Sequence, residues 1–288
     1  MLFKICIAML AFAANSILCR LALAQHQIDP MSFSLIRVCS GAVALFLLYM
    51  CSAQKAQIEW SVKNGFFLSL YIVAFSLAYV HIDAGVGALL LFGTVQISMV
   101  AYGLCHGETI NVRRGIGLAI AIFGICILLL PGASAPHLGY AAMMALSGLG
   151  WAMYSIAGKN MQNPLASSLA NFVLAVPFVG LVYLVFYNQS FVQPRGVILA
   201  IVSGGLASSG AYVLWYAIVK QIDRVTASSV QLSVPCLAII GGALFIGEPL
   251  SWRIILSAVI VLAGIGLVIW ASAEKADTKK MKIRSYKS

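Results

Sequence analysis

Apolar runs of about twenty residues recur from end to end of this chain, and they leave few folds open. A helix of that length rises about 30 Å, the thickness of a bilayer's hydrocarbon core. Ten such spans can be marked, at about 3–23, 31–53, 61–80, 84–105, 112–131, 138–158, 166–187, 195–219, 225–246 and 251–271. Short connections rich in helix breakers separate them: "HQIDP", "HGETINVRR", "PGASAPH", "MQNP", "NQSFVQP" and "GEPLS". The spans lack the period-two alternation of a barrel strand and run too long for one. Only 9% of the residues are charged, against about 25% in soluble domains. The expectation is an all-α polytopic membrane protein with almost no soluble part.

The start of the chain imitates a signal peptide, with Lys4 before an apolar run and a small-residue site at Ala22–Ala24. Asn15 and Arg20 interrupt that run, and the segment has a counterpart later in the chain, so it is read as the first span. Seven cysteines (6, 19, 39, 51, 105, 126 and 236) lie scattered, mostly in apolar segments and without a CxxC. They read as small buried hydrophobes, not as disulfides or metal ligands.

Orientation follows from lysine and arginine. With the N-terminus inside, fourteen of the eighteen fall on the cytoplasmic side, six of them in the tail. Arg20, Arg37, Arg195 and Arg253 are left outside. An even number of spans then returns the C-terminus to the cytoplasm. Residues 273–288 are polar and basic and read as a disordered cytoplasmic end.

The strongest signal is internal. "HIDAGVGALLLFGTVQISMVAYGLCHGETINVRRG" from His81 repeats as "QIDRVTASSVQLSVPCLAIIGGALFIGEPLSWRII" from Gln221. At a constant offset of 140, Ile82-Asp83 matches Ile222-Asp223, Gly107-Glu108 matches Gly247-Glu248, Arg113 matches Arg253, and Gly124 matches Gly264. Asn111 matches Ser251, and both are fit to cap a following helix. Earlier, "FAANSILCR" from Phe12 aligns with "WAMYSIAGK" from Trp151 at offset 139. The chain therefore divides into one five-span repeat at 1–134, a second at 135–272, and the tail at 273–288. Five is odd, so the second repeat must enter the membrane inverted. Inverted repeats are common in secondary transporters, which bind cargo near mid-membrane between the halves.

In these residues the chain resembles the EamA-type family of the drug/metabolite transporter superfamily, over about residues 5–272. The second half carries the whole pattern: Gln231-Leu232-Ser233-Val234-Pro235, the Gly247-Glu248 turn, and Gly264-Ile265-Gly266. The first half keeps Gly107-Glu108 and Gly124-Ile125 but has valine and not proline at position 95, followed by Gln96. Arg37, shortly after Pro30, also fits. The resemblance implies a ten-helix inner-membrane carrier of small metabolites, often an exporter of amino acids.

All eight acids lie in loops, at span ends or in the tail. A carrier coupling cationic drugs to protons through a buried glutamate needs one in mid-span, so that mechanism is disfavoured. Arg37 lies about two turns into span two. Two readings stand: a fork of donors for a substrate carboxylate or phosphate, or a side chain that snorkels or bonds a neighbouring helix. Arg20, near the end of its span, reads as an interface anchor.

Asn15 shares a face with Phe12, Ser16 and Cys19, and the matching face in the second half is Trp151, Tyr154, Ser155 and Gly158. Lining a cavity and bonding between helices are equally good readings. In span eight, Ser208, Tyr212, Trp215 and Tyr216 fall on one side. Trp215 pairs by repeat with Phe75, whose face includes Tyr71 and Tyr79. Aromatic walls with a few polar groups suit a small-molecule cavity. Gln96 and Gln231 can bond a substrate or another helix. The candidate substrate-binding set is thus Asn15, Arg37, Phe75, Tyr79, Gln96, Trp151, Tyr154, Tyr212, Trp215, Tyr216 and Gln231. Pro177 and Pro235 are expected to kink their helices.

No nucleotide-binding loop, metal-ligand spacing or nucleophile–base constellation is present, so neither enzymatic activity nor a cofactor is expected. The expected partners are a small-molecule substrate and the lipid bilayer, with no nucleic acid. Monomer and homodimer both stay open. The leading expectation is a secondary exporter of small metabolites such as amino acids, working by alternating access. The alternatives are an antiporter for organic anions or nucleotide-linked metabolites, a multidrug exporter, and a lipid flippase or other membrane enzyme.

Glu248 in "FIGEPLSWR" has a twin, Glu108, which inversion places on the opposite membrane face. An acid that recurs at both faces suits a turn between helices better than a proton relay. Glu248 is expected near the positive N-terminal end of the helix it precedes.

Overall fold

The computed structural model describes residues 2–53, 55–107, 111–130, 136–159, 161–222, 227 and 230–285. Glu108, the expected twin of Glu248, lies outside the described residues. Among the described residues ten long helices follow one another: α1 Leu2–Ala24, α2 Pro30–Cys51, α3 Val62–Tyr79, α4 Ala84–Cys105 and α5 Val112–Leu129, then α6 Leu138–Gly158, α7 Pro164–Val185, α8 Pro194–Val219, α9 Ser233–Ile246 and α10 Trp252–Ser285. The first eight are each long and apolar enough to cross a membrane; α9 and the apolar part of α10 are shorter. The chain is an all-α polytopic membrane protein built from two five-helix repeats.

Capping residues fix where the helices begin. The Asp29 carboxylate accepts from the amides of Met31 and Ser32 at 3.0 and 2.9 Å, with Pro30 in the first turn where no amide is needed. Asn163 before Pro164 does the same for α7. The repeat-related caps form as expected: Asn111 accepts from Arg114 at 2.8 Å, and Ser251 from Ile254 at 3.3 Å. Gly107 and Gly247, matched in the repeat, have φ of +81° and +77°. Both close a helix in the left-handed region, which only glycine enters without strain.

The packing follows a pseudo-two-fold pattern. Repeat-related helices pair directly: α2 with α7, α4 with α9, and α5 with α10. In addition α1 packs on α8 and α9 of the second repeat, and α6 packs on α3 and α4 of the first. Each half therefore inserts its first helix into the other half. The α5–α10 pair approaches closely at Gly117 and Gly264, where an added Cβ would meet the opposing backbone oxygen at 2.5 Å.

Three expectations need correction. Pro235 does not kink a continuous helix. Lacking an amide proton, it cannot bond the Gln231 carbonyl, which takes the Val234 amide at 3.1 Å instead. The span breaks there into a turn at Gln231–Leu232, and α9 starts afresh at Ser233. The described part of the tail is not irregular, because α10 runs on to Ser285; residues 272–285 include neither glycine nor proline to stop it. Arg20 is not an interface anchor. Its side chain, 14% exposed, pairs with Asp83 and Glu248, each at 3.0 Å.

Candidate functional site

The middle of the bundle holds an aromatic and hydroxyl-rich cluster contributed by α1, α2 and α3 of one repeat and α6 and α8 of the other. Its hub is Tyr71, near the middle of α3. The Tyr71 hydroxyl accepts from Arg37 Nη2 at 3.0 Å and from Asn15 Nδ2 at 3.3 Å. Arg37 Nη2 also donates to the Tyr212 hydroxyl at 3.0 Å, and Arg37 Nε to Ser208 Oγ at 3.3 Å. Ser203 donates to Asn15 Oδ1 at 2.6 Å. Ser203 and Ser208 lie on a π turn, Ser203–Ser208, that widens α8 at this level. The approach of α8 to α2 depends on Gly204, where a Cβ would collide with the Arg37 carbonyl.

Arg37 is 0% exposed, and all its bonds go to neutral hydroxyls. Its Nη1 has no partner. The guanidinium carbon sits 5.3 Å from the Tyr71 ring centroid and 5.1 Å from that of Phe75, a cation–π arrangement. The charge is therefore solvated by dipoles and ring faces, without an opposing carboxylate among the described residues. The four acids whose side chains are described are engaged or exposed elsewhere. Asp29 caps α2, Glu59 is exposed, and Asp83 and Glu248 hold Arg20.

Beside Arg37 the rings close around a cavity lined by Phe12, Ser16, Tyr71, Phe75, Leu91, Phe92 and Trp151. Its volume is about 10 Å³, room for about one water. Phe12 and Trp151, the first repeat-matched pair, meet edge to face at 5.2 Å between centroids. Trp151 also packs on Tyr71 at 5.1 Å and on Tyr212 at 4.8 Å. Its indole N–H donates to Gln231 Oε1, which the break before Pro235 leaves at a helix end.

Of the eleven candidates, Asn15, Arg37, Phe75, Trp151, Tyr212 and Gln231 come together in this cluster. Tyr154 and Trp215 form its flank: Tyr154 stacks on Trp151 at 5.5 Å, and Trp215 donates to Ser155 at 3.0 Å. Tyr216 lies a layer further, on Tyr154 and Asn171. Tyr79 packs edge to face on Phe75 at 4.6 Å, but its hydroxyl serves the Ala84 carbonyl at the bundle end. Gln96 is buried apart from the cluster, with neither amide atom bonded. Tyr71, Ser203 and Ser208 were absent from the candidate set. The signal for Tyr71 was available, one turn from Phe75 on the same helix face.

The two ends of the bundle differ. At one, Arg20 joins the α3–α4 corner to the α9–α10 turn, donating to the carbonyls of Tyr79 and Val80 at 3.0 and 2.8 Å as well as to the two carboxylates. Glu248 accepts from the Ala84 amide at 2.8 Å. Its helix-end role is thus confirmed in kind but falls on α4, not on the α10 it precedes. Here also Asp29 accepts from the Phe191 amide at 3.1 Å, and Ile28 pairs with Val192. At the opposite end a vestibule of about 200 Å³ opens among Ser61, Lys63, Asn64, Phe67, Tyr102 and the end of α6.

The profile of the EamA-like transporter family matches residues 1–130 and again 138–270. An uncharacterised protein of Pseudomonas aeruginosa is 44% identical over 264 residues, spanning 91% of this chain and 92% of that one. A protein of Escherichia coli named "probable amino-acid metabolite efflux pump" is 20% identical over 275 residues, 88% of this chain and 91% of its own. A solved crystal structure superposes with a TM-score of 0.68 over 91% of this chain and 98% of the other, at 15% identity, and shares the fold. The chain belongs to the EamA-like transporter family.

Proposed function

We propose that this membrane transporter is a secondary carrier of the bacterial inner (plasma) membrane. It exports small carboxylate-bearing metabolites, amino acids among them, by alternating access, with both termini in the cytoplasm. One observation carries the reading: a fully buried arginine without a counter-ion among the described residues, beside an aromatic cavity where the two repeats meet. An intramembrane cation is costly and is retained where it has work to do. A carboxylate seated against Arg37 neutralises it and supplies the acceptor that Nη1 lacks. The cavity is too small for such a cargo as it stands, so loading requires the helices to part at one end. The vestibule beside Lys63 supports taking that end as the one that opens to the cytoplasm, and the Arg20 cluster supports taking the other as shut.

The test is flux in proteoliposomes with a labelled panel of amino acids and other small carboxylates. Arg37→Ala is expected to lower transport at least about a hundredfold, with Arg37→Lys recovering part of it. Full transport by Arg37→Ala removes Arg37 from the site. Flux of uncharged or cationic compounds alone sinks the reading.

A further inference from the structure

We propose that the vestibule is a binding site in its own right, which takes a carboxylate bearing an apolar group before the central site opens. That this ligand is the cargo rests on the carrier reading above; the site itself stands on its own residues. It arises from a difference between the repeats. Phe75 pairs with Trp215 at offset 140, so the counterpart of Pro194, where α8 starts, is position 54. Helix α3 starts only at Val62, eight residues later, a shortfall of about 12 Å of helix. Its N-terminus is therefore recessed in the bundle, and Asn64 in its first turn is 2% exposed.

The recess gathers polar groups with few partners. Ser61 is the N-cap of α3 but makes no side-chain capping bond, and the first amides of the helix, those of Val62 and Lys63, have no carbonyl a turn behind them. Asn64 lines the vestibule. Its amide nitrogen meets only the Met161 sulfur, at 3.9 Å, and its carbonyl oxygen accepts from no described residue. Lys63 holds its ammonium 5.8 Å from the Phe67 ring centroid, turned along the vestibule wall. A helix N-terminus, an ammonium and a buried amide with a donor to spare are together what a carboxylate needs. The facing wall, Phe67, Met153, Ile156 and Met161, is apolar and suits a hydrocarbon group.

The vestibule adjoins the Arg37 cluster without joining it. It offers about 200 Å³ against about 10 Å³ in the central cavity, so a small organic acid fits without any helix moving. Phe67 lines the vestibule; Tyr71, one turn further along α3, lines the cavity and bonds Arg37. On α6 the same step runs from Met153 to Trp151. Between them α6 is pressed against α3 at Gly150, where a Cβ would meet the Tyr71 amide nitrogen at 2.9 Å and the Phe67 carbonyl at 3.0 Å. A carboxylate at the first turn of α3 thus waits about 12 Å along that helix from Tyr71, and this contact must part before it moves on.

The experiment uses the full-length protein in a neutral detergent, with its seven cysteines replaced and Ala157→Cys placed in the vestibule wall. An uncharged maleimide labels that position, at constant ionic strength, in the presence of butyrate, 4-methylpentanoate or 3-phenylpropanoate, or of the neutral amide of each. At least one acid is expected to slow labelling on the order of tenfold, and its amide at the same concentration is not. Lys63→Met should abolish the protection and Lys63→Arg keep it. Removal of the central site by Arg37→Ala or Arg37→Gln, whichever keeps the parent Tm, should also keep it. Protection lost on removal of Arg37, given equally by acid and amide, or unmoved by Lys63→Met overturns the inference, as does protection by none of the acids. Phosphatidylglycerol added to the micelles tests a lipid phosphate in the same place: protection by that lipid and by no acid assigns the site to headgroups and overturns the inference too. Labelling needs no transport, so each of these failures leaves the carrier reading standing. Protection in a chain whose proteoliposomes carry no carboxylate sinks the carrier reading and leaves the site.

Discussion

Replacing Arg20 by alanine tests whether one end of the bundle is held shut by a single side chain. The guanidinium bonds two carboxylates and two carbonyls, and in doing so ties α1 to the α3–α4 corner and the α9–α10 turn. The Glu248 arm, with the acid side chain 10% exposed, contributes about 2 kcal/mol as a charge-assisted bond. The two carbonyl bonds add about 1 kcal/mol together once rehydration of the freed oxygens is allowed for. The Asp83 arm, 34% exposed on the acid's side, adds no more than about 0.5 kcal/mol. The loss is about 3 kcal/mol, which corresponds to a fall in Tm of roughly 6–12 °C for a chain of this size. If the contacts exist only in the closed end, the same energy shifts the opening equilibrium on the order of a hundredfold.

Cys19 reports that opening. It is 0% exposed and precedes Arg20 on α1. In a chain with the other six cysteines replaced, an impermeant maleimide should label Cys19 slowly in the parent and about a hundredfold faster after Arg20→Ala. Arg20→Lys, which keeps a charge but not the fork, should fall between. A drop in Tm without faster labelling makes the cluster a structural clasp and not a gate. No change in either refutes the bond accounting.

Glu248 gives the same end a pH dependence. Burial pushes its carboxyl above the ordinary value, against the pull of the Ala84 amide and Arg20. Opening hydrates the group and returns it toward that value, so the closed form holds its proton at higher pH than the open one. Acidification through the raised value therefore favours closure, and Cys19 labelling, taken relative to an exposed-cysteine control at each pH, should slow as pH falls; a relatively faster rate reverses the sign. Gly204→Ala drives a methyl into the Arg37 carbonyl and should cost about 1–3 kcal/mol, seen as a lower Tm with transport impaired. Gln231→Leu strands the Trp151 indole N–H, at about 1–3 kcal/mol; unchanged stability and transport would show that the bond is dispensable.

Much of this architecture was legible because a membrane imposes few solutions. Once water is absent, every backbone amide must be satisfied within its own helix, so the length of an apolar run is almost the length of an element. The predicted and observed edges agree within one residue at α4 and α6. The turn glycines were legible too, because a left-handed residue recurs at the same repeat position. The interior was harder to read. Helix periodicity puts Asn15, Phe12 and Ser16 on one face, but not whether that face meets lipid, helix or cavity. Which phenol meets Arg37 depends on the depth at which α2, α3 and α8 cross, and that depth is set by contacts such as Gly204 against Arg37. Sequence places Tyr71 on the Phe75 face but does not show it to be the residue that meets Arg37.

Glu248 shows the limit most clearly. Its place in a turn was readable from the repeat and from Pro249, which stops a helix. Local sequence also pointed it at the nearest positive helix end, that of α10. The structure sends it instead to α4, far away in sequence, because Ser251 already caps α10 and Ala84 presents an unmet amide. A helix N-terminus attracts an acid through a field that does not depend on chain order. Short-range sequence logic can therefore identify the donor and the acceptor, while tertiary packing decides which of them meet. The same reasoning holds for Arg37: its charge is visible in the sequence, but that no bond joins it to an acid among the described residues is a property of the assembled bundle.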